Sequence, residues 1–349
     1  MAYVQPIYSK NNVRKAGDIL KDDNASKSDK IWGNEVLGNW RAIHSYPINT
    51  FQATLRDKLK IIDESSLVAQ RLKRSPSIIS KLKRFPSMQL SRMQDIGGLR
   101  AVLSTLENVE ELQKSYKVST RFPHELVNEK NYILEPKDTG YRGIHLIYKY
   151  KNQKNNIYDG LHIELQIRTR LQHSWATAVE TMGTFLNHSL KSSEGPEEWL
   201  AFFALTGSAF AHFEKSNPVT QYAHMSKDET YTTMIYEASR LNVVERLKAF
   251  SIATESITTG KSLGSYHIVI LNPKEKNVIV ESFSKRRIDE ANLRYSYYEN
   301  QINEGNQLQV VLVATGSIES LRQAYPSYFL DTEQFIKAIN RIKEEVNKI

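Results

Sequence analysis

Four segments of this chain place charged side chains at spacings that suit phosphate chemistry. The most patterned is Leu161–Ala176, LHIELQIRTRLQHSWA. Leu161, Ile163, Leu165 and Ile167 alternate with His162, Glu164, Gln166 and Arg168, the period of a half-buried strand. One face then presents a carboxylate, an amide and a guanidinium together. A carboxylate so placed can take the proton of an attacking hydroxyl; the alternative is a plain ion pair with Arg168 or a cross-strand lysine. Past Arg168 the spacing turns helical, with Leu171, Trp175, Val179 and Met182 on one stripe and His173 beside them as a supporting residue.

The second segment is the basic run from Arg71 to Arg92, with Lys73, Arg74, Lys81, Lys83 and Arg84 and no acid among them. Ser75-Pro76 reads as a helix start, Ser as N-cap and Pro at the first position. Lys81 and Arg84 then share a face. Such a run is either a solvated helix face or a cradle for a triphosphate, which needs several cations in a small volume. The third is Asp95 in RMQDIGGLR. Its carboxylate suits Mg²⁺, which takes one or two carboxylates plus phosphate oxygens, and Arg100 suits stacking on a base. Gly97 and Gly98 are expected to make a tight turn here, and a turn alone is the other reading. The fourth is the loop EPKDTGYRGIH, 135–145, where Lys137, Tyr141, Arg142 and His145 are spaced by glycines. A ring among cations suits a base with its phosphate; alternatively Tyr141 packs as core.

The elements that must position these residues are legible in outline. Residues 31–92 read mostly as helix, 98–105 as a strand, 107–117 as a helix, and 142–150 with 161–169 as a hairpin. Helices follow at about 170–190, 195–214 and 228–256. From near residue 258 the texture changes. Ser265–Leu271, Asn277–Ser282 and Leu308–Ala314 alternate like strands, with a helix near 287–302 between the last two. Asp331 and Gln334 suit a capping box for a last helix with Phe335, Ile336, Ile339, Ile342 and Val346 on one side. The expected class is α/β or α+β, a mixed sheet flanked by helices, with 1–257 as one domain and 258–349 as a small α+β second domain.

The chain has 349 residues and a net charge of +8, which favours a polyanionic partner. It has no cysteine, which excludes disulfides, thiolate zinc sites and cysteine nucleophiles and suits the cytoplasm. The apolar run Trp199–Phe213 is too short to span a bilayer and reads as a buried helix. Lys10, Arg14 and Lys15, or Lys274, Lys276, Lys285, Arg286 and Arg287, are the expected contacts to nucleic-acid phosphates.

In this order the four segments resemble the RelA/SpoT-type synthetase domain, which transfers pyrophosphate from ATP to a nucleotide ribose hydroxyl. RLKRSPSIISKLKR resembles its ATP-phosphate segment, DIGGLR its metal-Asp segment, GYRGIH its acceptor-stacking loop and ELQIRT its base-bearing strand. The resemblance covers about 71–180. It implies a nucleotidyltransferase-like fold, with ATP as donor and Mg²⁺ as cofactor. Asp95 and Glu164 are the implied catalytic and metal-binding carboxylates. Arg71 and Arg100 flank adenine, while Lys73, Lys81 and Arg84 hold phosphates. The acceptor falls to Lys137, Tyr141, Arg142, His145, Gln166 and Arg168, with Tyr141 stacked on its base. No His-Asp dipeptide occurs, so the family's hydrolase half is missing.

The C-terminal part, through AYPSYFLDTEQF at 324–335, resembles the antitoxin domain of the CapRel group of toxic synthetases, fused toxin–antitoxin proteins of antiviral defence. That domain is zinc-finger-like without zinc ligands. The resemblance implies Tyr325 and Tyr328 as an autoinhibitory plug on the ATP site, the tRNA 3′ end as acceptor, inhibition of translation, and a phage major capsid protein as trigger. It further implies a monomer with no membrane partner. The alternatives are an alarmone synthetase acting on GDP, GTP or adenine nucleotides, and a silent RNA-binding or sensor module.

Overall fold

The computed structural model describes residues 3–348 except 118–121, 187, 189, 191–192, 253–254, 260–265, 273–274, 276, 304–307, 315–325 and 327–331. At 185, 249–252, 255–259, 285, 300, 303 and 314 it describes the backbone alone. Three helices open the chain: α1 (Lys10–Lys21), α2 (Lys27–Ala42) and α3 (Ser45–Ile62). Ser9 and Ser26 cap the first two, each accepting a backbone N–H three residues on. Then follow β1 (Leu67–Leu72), α4 (Ser75–Arg84), β2 (Gly97–Leu103), α5 (Leu106–Lys117), β3 (Glu125–Asn131), β4 (Ile144–Lys149) and β5 (His162–Thr169). β5 runs straight into α6 (Arg170–Leu186), followed by α7 (Glu197–Phe213), α8 (Lys227–Arg240) and α9 (Val243–Ile252). The remainder is β6 (Glu255–Thr259), β7 (Tyr266–Asn272), β8 (Asn277–Phe283), α10 (Ile288–Asn303), β9 (Gln309–Ala314) and α11 (Glu333–Val346).

Among the described residues the nine strands lie in one mixed sheet, ordered β3-β4-β5-β2-β1-β9-β7-β8-β6. β2 and β5 are parallel, and β1–β2, β4–β5 and β3–β4 are antiparallel. The fold is the expected mixed α/β architecture. The strands beyond residue 258 do not stand apart: β9 joins β1 through the pair Arg71↔Val313 and continues the sheet into β7, β8 and β6. This C-terminal part is α+β. Among the described residues no group of three or more His, Cys, Asp or Glu side chains converges on a metal position.

One core lies between the N-terminal helices and the sheet, with Val36, Phe51, Leu55, Leu99, Ile163 and Leu165 fully buried. A second gathers α6, α7, α8 and α11. There Trp175, Val179 and Met182 of the expected α6 stripe meet Phe335, Ile339 and Ile342 of α11. α7 is buried on nearly every side, as its continuous apolar run requires. No helix of the described residues is long and apolar enough to cross a membrane.

Several expectations are corrected. β1 lies inside the stretch read as helical. Its six residues, LVAQRL, bury only Ala69 fully, so the alternation that marks a strand is absent. β3 is mostly exposed at the sheet edge, again without an apolar rhythm. The helix expected over 228–256 breaks at Asn242, whose φ of 51° is a left-handed conformation that Asn tolerates, and its end becomes β6. α11 begins after Thr332, which makes no side-chain cap; Asp331 lies outside the described residues.

Candidate active site

One face of the β3-β4-β5-β2-β1 half forms the floor of an open cleft of about 1130 Å³. Register decides which side chains reach it. Gly98 stands between Arg71 and Glu164, and Arg100 between Ala69 and Gln166. His145 pairs with Gln166, and Ile147 with Glu164. All of these line the cleft, joined by Asn128, Lys130 and Tyr132 from β3 and its end, by Lys137, and by Lys73 and Lys81 from the β1–α4 segment.

Asp95 sits at the end where the cations gather. Its Oδ2 accepts from Lys73 Nζ at 3.0 Å and Lys81 Nζ at 2.9 Å, while its Oδ1 is buried with no hydrogen-bond partner. Burial pushes this carboxyl up, but the two ammonium groups outweigh it and hold Asp95 below the usual carboxylate range. Burial in turn lowers Lys73, against the pull of Asp95. An ionised carboxylate with one oxygen unpartnered fits a hard divalent cation such as Mg²⁺, which draws its remaining ligands from phosphate and water.

Glu164 is held differently. Oε1 faces His145 Nδ1 at 2.9 Å and Oε2 accepts from Gln166 Nε2 at 2.8 Å. His145 Nε2 meets the Tyr141 hydroxyl at 2.7 Å. These partners assign the tautomer: Nδ1–H donates to Glu164 and Nε2 accepts from Tyr141. Burial raises Glu164, but the hydrogen bonds from His145 and Gln166 bring it below its ordinary value, so it is ionised at neutral pH.

The structure therefore brings together Asp95, Glu164, Arg71, Lys73, Lys81, Arg100, Lys137, His145 and Gln166. Four other expected residues do not line the cleft. Arg84 lies on the outer side of α4, 3.7 Å from Glu194. Arg142 is buried against Glu214 at 3.3 Å and Ser216. Arg168 is buried and bonded to His173, with its Nε unpartnered. Tyr141 is turned into the second core, its ring edge-on to Trp175 at 6.3 Å. Glycine explains this last placement. Gly140 has φ of 88° and lies so close to α7 that a Cβ there would be 2.6 Å from the Phe203 carbonyl oxygen, drawing the next residue against the helix.

The tyrosine that does line the cleft is Tyr132, with the Lys137 ammonium 4.5 Å from its ring centre. Sequence reasoning missed it. The available clue was the period-2 spacing of Asn128, Lys130 and Tyr132, which has no apolar partner residues to mark it. Gly97 and Gly98 are not a turn: they begin β2. A Cβ on Gly97 would come within 2.9 Å of Ile48 Cδ1 and 3.0 Å of His44 Cβ, so that glycine lets α3 pack on the strand. Ser75 is the first residue of α4 rather than its N-cap, and the cap position is Arg74, which makes no side-chain cap bond. Of the basic surface candidates, Arg14 pairs with Asp18 and Arg287 with Glu290. Lys274 and Lys276, like Tyr325 and Tyr328, lie outside the described residues.

Residues 70–185 match the RelA_SpoT family profile, described as a region found in RelA / SpoT proteins. The GTP pyrophosphokinase YjbM of Bacillus subtilis is 32% identical over 117 residues, covering 33% of this chain and 54% of that protein. The chain thus spans about half the length of that relative. The GTP pyrophosphokinase YwaC of the same organism is 29% identical over 128 residues, 34% of this chain and 59% of that protein. Among solved structures, the small alarmone synthetase 1 of Bacillus subtilis bound to its product pppGpp aligns with a TM-score of 0.42 at 23% identity, over 49% of this chain and 89% of that one.

Proposed function

We propose, from the RelA/SpoT region at 70–185, that this cleft transfers pyrophosphate from ATP to a ribose 3′-hydroxyl. The observation that carries the reading is the pair of ionised carboxylates in one cleft, Asp95 with a vacant oxygen and Glu164 with both oxygens held. Glu164 takes the proton from the hydroxyl. The hydroxyl oxygen bonds to the β-phosphorus as the bond from that phosphorus to the oxygen bridging the α-phosphate breaks, and AMP leaves. Lys73 and Lys81 neutralise the triphosphate, and Arg71 and Arg100 flank the adenine. Mg²⁺ on Asp95 supplies further charge neutralisation at the phosphate oxygens when bound. Each Glu164 oxygen carries one hydrogen bond and keeps a second lone pair, which is where the proton of the attacking hydroxyl goes.

The acceptor we assign is the 3′ end of tRNA, so that turnover halts translation. The net charge of +8 and an open cleft floored by Tyr132, a ring that stacks on any base, support this. Residues 1–257 then act as the toxin and 258–349 as its regulatory domain, with Tyr325 and Tyr328 as the plug. The trigger is a phage major capsid protein, acting on a cytoplasmic monomer. The second reading, a free guanine nucleotide as acceptor, is favoured by the names of the two Bacillus relatives. The two intact carboxylates speak against a silent module. The test is to offer labelled ATP with tRNA, GDP, GTP and AMP in parallel. Label on the tRNA terminus supports the first reading, label on GDP or GTP the second, and label on none of them rejects both.

A further inference from the structure

Arg41 of α2, Ser75 at the head of α4 and Glu299 of α10 form one buried cluster, though 224 residues separate Ser75 from Glu299. Glu299 Oε2 meets Arg41 Nη1 at 2.7 Å and accepts from Ser75 Oγ at 3.0 Å. Its Oε1 accepts from the Ser75 backbone N–H at 3.0 Å and from the Tyr295 hydroxyl at 2.8 Å. Arg41 also donates from Nη1 to Ser75 Oγ at 2.7 Å and from Nε to the Lys73 carbonyl at 2.8 Å. The side chains of Arg41 and Glu299 are each 6% exposed.

This arrangement has a mechanical meaning. α4 has no side-chain cap of its own. An uncapped first turn leaves backbone N–H groups unsatisfied, and here a carboxylate from the C-terminal part satisfies one of them, at the end of the helix where negative charge is favoured. The Lys73 peptide is pinned on both sides, its N–H donating to the Ile96 carbonyl at 2.8 Å and its own carbonyl held by Arg41. Lys73 and Lys81, the cations on either side of this head, converge on one oxygen of Asp95.

We propose that Glu299 is a positioning residue for phosphate binding. Docking of the β7–α10–β9 unit fixes the head of α4 through Glu299 and Arg41, and so places Lys73 and Lys81 to receive phosphates. The phosphate affinity of the cleft is thereby tied to the C-terminal part by a route separate from any plug. The identity of the phosphate ligand as ATP rests on the function proposed above; the positioning itself does not.

The test uses the full chain and the isosteric variant Glu299→Gln. Its amide keeps one acceptor oxygen where the carboxylate had two, so either Arg41 or the Ser75 backbone N–H loses its buried partner while the shape of the site is kept. Hydrogen exchange without nucleotide should quicken about tenfold or more at the first amides of α4, with the sheet amides unchanged. Affinity for inorganic tripolyphosphate with Mg²⁺ should fall about tenfold, the KM for ATP should rise by a similar factor, and the acceptor KM should stay put. The double variant Arg41→Gln with Glu299→Gln, which restores a neutral hydrogen-bonded pair, should recover part of the loss. Tyr295→Phe removes one donor to Glu299 and serves if Glu299→Gln does not fold, with a smaller shift in the same direction. Unchanged α4 exchange and tripolyphosphate affinity in the folded variant would overturn the proposal. A wild-type protein that binds tripolyphosphate but transfers nothing from ATP would instead remove the function, leaving the exchange and affinity results to decide the positioning.

Discussion

Tyr141 donates its hydroxyl to Nε2 of His145 at 2.7 Å while its ring lies in the core against Trp175. Through His145 the contact reaches Glu164 at 2.9 Å, so Tyr141 orients the base rather than offering a stacking surface. Tyr141→Phe is therefore expected to lower kcat about tenfold and leave the acceptor KM nearly unchanged. Tyr132→Ala is expected to do the reverse, weakening acceptor binding by a stacking contribution of about 1–3 kcal/mol. Steady-state kinetics on the two variants checks this. A raised acceptor KM in Tyr141→Phe with none in Tyr132→Ala would reverse the assignment.

Asp95→Asn and Glu164→Gln should each lower kcat by about two to four orders of magnitude, the range for removal of a general base or a metal-supporting carboxylate. Asp95→Asn also leaves Lys73 and Lys81 facing each other without their shared anion. Both variants should still melt cooperatively. Activity within tenfold of wild type in either one would count against the site.

His44 gives a stability signature with a definite sign. Burial lowers it to about 4, against the backbone bond from its Nδ1–H to the Trp40 carbonyl at 2.7 Å. The folded state therefore keeps the ring neutral while the unfolded chain protonates near pH 6.5. The stability is complete above that value and is lost as pH falls toward about 4. Between pH 7 and 5 the loss from this group is about 2 kcal/mol. Denaturant unfolding of wild type and His44→Asn at both pH values checks it: the variant, which keeps a donor near Trp40, should lose less on acidification.

If Tyr325 and Tyr328 form the proposed plug, Tyr325→Ala with Tyr328→Ala should raise basal activity and slow growth of cells expressing the protein without phage. Healthy cells holding folded double variant would mean that the tyrosines are not the sole restraint.

The cleft was legible in the sequence where a regular rhythm marks it. Glu164 and Gln166 sit on the strand that the alternation at 161–168 marks, and they reach the cleft as expected. The same alternation puts Arg168 on their face, but the chain enters α6 two residues later, and the side chain is buried against His173. Tyr141 takes the core placement rather than the acceptor-stacking one that the resemblance implies; the contact that turns it inward, Gly140 against α7, joins segments more than sixty residues apart. β1 and β3 carry Arg71, Lys130 and Asn128 into the site without the apolar alternation that would reveal them. Glu299, one tyrosine-rich turn of α10 from Tyr295, has nothing in its neighbours to point at Ser75; only the folded chain brings them together.

The most direct measurement follows the three phosphates of ATP separately. ATP labelled in turn at the α, β and γ positions is incubated with Mg²⁺, the protein freed of its plug tyrosines, and each acceptor. Pyrophosphate transfer predicts β and γ label together on the acceptor, α label only in AMP, and one AMP per modified acceptor. Transfer of γ label alone with ADP left behind, or of α label with pyrophosphate released, would contradict the account.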